Sequence, residues 1–84
     1  MYNKTYISTA TTTKVSTVKS VLHSIVVGET TAGAITVKDG ATTVAVLKAS
    51  IAEGDYVFDM VINGELSVVT AGASKITVTW KPIA

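Results

Sequence analysis

Tyr56-Val-Phe-Asp-Met-Val-Ile-Asn-Gly-Glu-Leu-Ser-Val-Val-Thr70, followed after Ala71-Gly72-Ala73-Ser74 by Lys75-Ile-Thr-Val-Thr-Trp-Lys81, is the stretch that decides the fold. Tyr56, Phe58, Met60 and Ile62 alternate with Val57, Asp59 and Val61, and later Ile76, Val78 and Trp80 alternate with Lys75, Thr77, Thr79 and Lys81. A period of two belongs to a strand, whose successive side chains point to opposite faces. The Tyr56 set and the Ile76 set are therefore expected to face a core. Asn63-Gly64 lies between two apolar runs, the strongest short-range hairpin signal a chain carries, and predicts that 56–62 folds back on 66–70. Pro82 ends the last strand because it has no N–H to give to a ladder.

Working outward, strands are expected at 15–19 and 21–27, continuous through Ser20 by way of a bulge, then at 34–38 and 43–49. Asp39-Gly40 supplies a tight turn between the latter two, since both residue types tolerate positive φ. Residues 50–55 read as one helical turn or a loop, too short for a helix that stands alone. The reading is all-β: a small antiparallel β-sandwich or jelly-roll-like barrel of about seven strands. Within 21–27 one side carries Val21, His23, Ile25 and Val27 and the other Leu22, Ser24 and Val26, so both sides call for cover. That strand is expected to be central or to lie at a subunit contact.

Residues 1–13 differ from the rest. Five threonines, with Tyr2, Tyr6 and Ile7 scattered among them, favour extended backbone without building a core face, and predict an extended N-terminal arm ahead of a β-sandwich domain at 14–84. Tyr2, Tyr6 and Ile7 are the candidate partner-binding residues of the arm, and removing 1–13 is expected to leave the β fold intact.

Composition narrows the chemistry. Thr, Val and Ile make up 34 of the 84 residues, the class that suits a pleated sheet. Arg, Cys and Gln are absent and His occurs once, which removes disulfides, thiolate metal sites, Cys nucleophiles and arginine clamps. Seven lysines spaced singly against six acids leave a net charge of +1, unlike the clustered basic surface of a nucleic-acid binder. No apolar run has the roughly 20 residues needed to cross a bilayer as a helix, and no leader pattern opens the chain, so neither nucleic acid nor membrane is an expected partner. Yet 48% of the residues are hydrophobic and the mean hydropathy is +0.47. A chain this short buries only about 60% of its unfolded surface, so the surplus points to a protein interface and a homo-oligomer or larger assembly.

Candidate active groups are few. His23 beside Ser24 does not read as a dyad, because adjacent strand residues face opposite sides; a hydrogen-bonded structural His is the expectation. Glu53, Asp55 and Asp59 are the one acidic cluster, with no calcium-loop spacing. Trp80 with the tyrosines offers an aromatic platform for sugar, though Trp80 shares a face with Ile76 and Val78 and is expected in the core. The 28–33 loop lacks the G-x-G-x-x-G spacing of a phosphate cradle. No catalytic, cofactor-binding or metal residue is assigned, no cofactor is expected, and the expectation is that the chain is not an enzyme.

Val21-Leu22-His23-Ser24-Ile25-Val26-Val27, Ala34-Ile35-Thr36-Val37-Lys38-Asp39-Gly40, the Phe58-Asp59 strand and Leu66 to Trp80 together resemble small tailed-phage head decoration, or cement, proteins and related auxiliary capsid β domains. The likeness runs from about Val15 to Lys81, with one departure: Glu65 stands where the pattern has glycine, and Gly64 lies one place earlier. The resemblance implies a non-enzymatic structural virion protein, made in the host cytoplasm, that sits on the bacteriophage capsid surface. There it binds the major capsid protein and stabilises the shell by bridging its subunits, as a homo-oligomer with a trimer favoured. Another virion component, such as a head-fibre base or a tail or spike module, and a carbohydrate-binding β-sandwich module are the alternatives.

Overall fold

The computed structural model describes residues 2–83, and among them every regular element is a strand: β1 (Asn3–Ile7), β2 (Thr12–Ser16), β3 (Ser20–Glu29), β4 (Ile35–Asp39), β5 (Thr42–Leu47), β6 (Gly54–Ile62), β7 (Leu66–Thr70) and β8 (Lys75–Pro82). They form two four-stranded sheets, ordered β1-β8-β3-β6 in the first and β2-β7-β4-β5 in the second, with all pairings antiparallel. The expected all-β sandwich is the observed one, with eight strands where about seven were anticipated.

Thirteen apolar side chains fill the space between the sheets, among them Leu22, Ile25, Ile62, Ile76 and Val78 from the first and Ile35, Val37, Leu66 and Val68 from the second. Each such side chain contributes roughly 1.5 to 3 kcal/mol on burial. Tyr56, Phe58, Met60 and Trp80 pack against this core as expected, half-buried at its margin.

The extra strand is β1. Residues 3–7 are extended, but they pair with β8 of their own chain from Asn3 opposite Trp80 to Ile7 opposite Ile76. Ile7 is 4% exposed and belongs to the core. The division at 13/14 falls inside β2, where Thr12 and Thr13 pair with Val69 and Val68. Residues 3–7 and 12–13 are thus strands of the sandwich itself, not an arm set apart from it as the division at 13/14 had it. Alternation was hard to see there because a five-residue edge strand has only one apolar residue to bury, and Thr5 fills the other inward place by accepting a bond from Trp80 Nε1 at 3.3 Å.

The Asn-Gly signal is overturned too. Ile62 and Leu66 both reach the core, but β6 lies in the first sheet and β7 in the second, so 63–65 crosses between sheets. The Asp39 carboxylate accepts the backbone N–H of Asn63 at 3.1 Å and of Gly64 at 2.8 Å, and Gly40 N–H donates to the Glu65 carbonyl at 2.8 Å. Those bonds satisfy the link without a paired hairpin. The Asp39-Gly40 turn does join two strands of one sheet, with Gly40 at φ 62°. Residues 50–53 form no helical turn; Ser50, at φ 57°, ties the link to the Thr31 carbonyl by its N–H at 2.9 Å.

Candidate functional site

β3 is where the outward face of the first sheet is built. Leu22 pairs with Trp80 and Met60, and the next paired residue, Ser24, sits opposite Thr79 and Val57. His23 therefore has no counterpart in β8, while in β6 both Phe58 and Asp59 fall opposite it. This is a β-bulge, a device that re-aims side chains. It shifts the inward phase, so Leu22, Ile25 and Val27 all face the core, and the expected single row Val21-His23-Ile25-Val27 is split. Ser24 shares the outward side with His23, against the expectation that they face apart, yet its hydroxyl lies 2.7 Å from that of Thr79. Nothing links Ser24 to His23.

Asp59 takes φ 48° at the bulge, a left-handed conformation that Asp tolerates better than most residues. The twist sets its Oδ1 2.6 Å from His23 Nδ1. An ionised carboxylate only accepts, so Nδ1–H is the donor. Tyr2 stacks on the other side of this pair: its ring lies 4.1 Å from the His23 ring centroid, at 8° between planes. Tyr2, His23 and Asp59 thus form a row running across the sheet from the β1 side to β6. His23 is hydrogen-bonded, as expected of it.

Around that row the face is divided by charge. Lys4 on β1 and Lys75 and Lys81 on β8 lie on one half, while Asp55 and Asp59 lie on β6 at the opposite edge. Between and among them stand Tyr6 at 63% exposure, Val57 at 58%, Val61 at 51% and, less open, Val26. Valines outward on β6 were visible as the second set of its alternation, and their apolar character was the available signal that this side, too, carries exposed apolar surface. A separate apolar surface lies on the second sheet. Its edge strand β5 exposes Val46 at 57% and Val44, the latter unpaired where the register with β4 shifts.

Of the three arm residues, Tyr6 alone projects freely into solvent; Tyr2 is held on His23, and Ile7 is turned into the chain's own core, out of a partner's reach while β1 stays paired. Glu53, Asp55 and Asp59 do not converge, and among the described residues no group of three acids or His could hold a metal ion. Trp80 packs on the core and donates to Thr5, so its ring is not a free platform. Gly33 lies against the backbone of Ala71 and Gly72, which makes its loop a packing contact. No pocket is found among the described residues. What the arrangement offers chemically is two exposed apolar surfaces on opposite sheets, the first of them marked by charge.

No protein-family model matches the chain, and no curated protein matches it.

Proposed function

We propose that this chain is a non-enzymatic structural protein of a phage virion, bound in many copies to the outside of the capsid and bridging major capsid subunits. One observation carries the reading: exposed valines occupy two separate places, the outward face of the first sheet and β5 of the second. A protein with a single partner needs one such surface, and a bridge needs two. The apolar area left open by a chain too small to cover it is matched by protein on both sides. Repetition on a symmetric lattice then lets individually weak contacts add through effective concentration. The resemblance noted at 15–81 supports the same role.

β5 is the surface assigned to the shell. It is an edge strand whose unpaired side is open to a neighbouring chain, and Val44 and Val46 stand beside that edge. The experiment mixes the purified chain with undecorated capsids of the phage that encodes it and measures bound copies after sedimentation. Stoichiometric, saturable binding is expected, together with greater resistance of decorated shells to heat, and Val46→Asp is expected to abolish binding in a folded protein. Absence of binding by the parent chain sinks the proposal. Binding unchanged by Val46→Asp removes β5 from it.

A further inference from the structure

We infer that the outward face of the first sheet is a two-fold interface with a second copy of this chain. The occupant follows from the division of charge. In the ladders Lys4 pairs with Thr79, Thr79 with Ser24, and Ser24 with Val57, so these four residues lie at one level across the sheet. Tyr6, Thr77, Val26 and Asp55 share the next level of the same face. A two-fold axis lying in the interface, parallel to the strands, lays β1 of one copy over β6 of the other and β8 over β3. Lys4 of one copy then falls over Val57 of the second, flanked by Asp55 and Asp59, and the reciprocal contact forms at the far edge. Such an interface is isologous: the same pair is made twice.

Among the described residues, neither Lys4 nor Asp55 makes an ion pair within its own chain. Each has its charge free for a neighbour. At the centre of the pair, Val26 of each copy meets Thr77 of the other and Ser24 meets Thr79, a surface of small side chains that interlocks when sheets pack about 10 Å apart and aligned, while Val57 lies at the edge under the Lys4 stem of the other copy. A two-fold axis perpendicular to the strands would instead stack β1 on β1 and β6 on β6, setting Lys4 against Lys4 and acid against acid. Charge thus selects the parallel axis.

The area agrees with a reversible pair. Four strands about 4.8 Å apart and some eight residues long at about 3.3 Å each give a face of about 500 Å², or about 1,000 Å² over both copies. That is the lower margin of specific interfaces, where dissociation constants are commonly micromolar. Two-fold pairing takes the place of the three-fold arrangement implied by the resemblance, and it is formed in solution with no capsid present, so it can fail while the capsid role holds and hold while that role fails.

The test is sedimentation equilibrium of the free chain from about 1 to 500 μM, the range a micromolar pair requires. The parent chain is expected to move from one to two chain masses. Lys4→Glu and Asp55→Lys, each placing like charges together twice, are expected to weaken pairing at least tenfold. Mixing the two variants should restore it. In the mixed pair the glutamate introduced at position 4 of one copy meets the lysine introduced at position 55 of the other, and at the far edge the unaltered Lys4 meets the unaltered Asp55. Val57→Thr, which keeps a β-branched side chain, is expected to weaken pairing several-fold without touching the charges. Both charge positions are exposed edge-strand sites, and far-UV circular dichroism confirms that each variant is folded. A parent chain that stays monomeric at the highest concentration, a mass of three chains, or a mixture no tighter than its components overturns the inference.

Discussion

Ile7→Ala separates a strand that belongs to the fold from an arm that merely trails along it. In the structure Ile7 is 4% exposed, sits opposite Ile76 and joins the core. Truncating a buried Ile to Ala removes its transfer free energy and leaves a cavity, at a cost of about 2 to 5 kcal/mol. The site is at the end of an edge strand where neighbours can partly close in, so about 3 kcal/mol is the expected value. A chain of this size has about 4 to 12 kcal/mol of stability in all, and about 3 kcal/mol corresponds to a fall in Tm of roughly 12 to 24 °C. The assay is urea unfolding followed by Trp80 fluorescence, since the indole packs on the core and is tied to β1 through Thr5. Tyr6→Ala serves as control: its side chain is 63% exposed, and less than about 0.5 kcal/mol should be lost. Deleting residues 1–13 should go further, leaving a chain without a cooperative transition, because it also removes the start of β2 and the bonds Thr70 makes to Thr9 and Thr11. An Ile7→Ala chain within about 1 kcal/mol of the parent would refute the reasoning and restore the detachable arm.

Gly33→Ala should destabilise by about 3 kcal/mol or more, because its new Cβ would meet the Gly72 N, with Ala71 C at 2.6 Å and Gly72 Cα at 2.9 Å, and backbone cannot swing aside. Gly28→Ala, whose Cβ would sit at an ordinary 3.6 Å from the Lys75 carbonyl, should stay within about 0.5 kcal/mol, and thermal melts of the two variants side by side make the comparison. Ser20→Ala should raise the urea midpoint by the equivalent of about 1 kcal/mol, since the Ser20 hydroxyl is fully buried without a hydrogen-bond partner and its removal relieves an uncompensated desolvation cost. A lower midpoint would mean that the hydroxyl is satisfied.

Where one strand had one wet side and one dry side, the residues alone were enough. β8 is the clearest instance: Ile76, Val78 and Trp80 face in, and Lys75 and Lys81 face out, as their alternation dictates. β6 follows the same rule, with Ile62 fully buried and Val57 and Val61 open. What periodicity leaves undetermined is which strand pairs with which. In a sandwich, a chain that turns back within a sheet and a chain that crosses to the other sheet both return an apolar face to the same core. Asn63-Gly64 is compatible with either path, and the choice is made by Asp39, 24 residues earlier, whose carboxylate holds the crossing. A local signal has no access to a partner that distant.

The candidate site was illegible for a related reason. A period of two assigns sides correctly only while each residue of a strand has one partner, and β3 breaks that condition at His23. Past the bulge every side is exchanged: Ile25 and Val27, expected beside His23, lie on the opposite side from it and are buried. The residue that absorbs the shift on the neighbouring strand is Asp59, whose left-handed backbone aims its carboxylate at His23. Had the alternation run uninterrupted, Ile25 and Val27 would join the exposed face and the core between the sheets would lose two of its thirteen buried apolar side chains. The bulge thus does two things that one strand of strict period cannot do together. It keeps Leu22, Ile25 and Val27 in the core on either side of itself, and it leaves on the outward face a polar row, His23 with Asp59 under Tyr2, among valines that a second protein surface can cover.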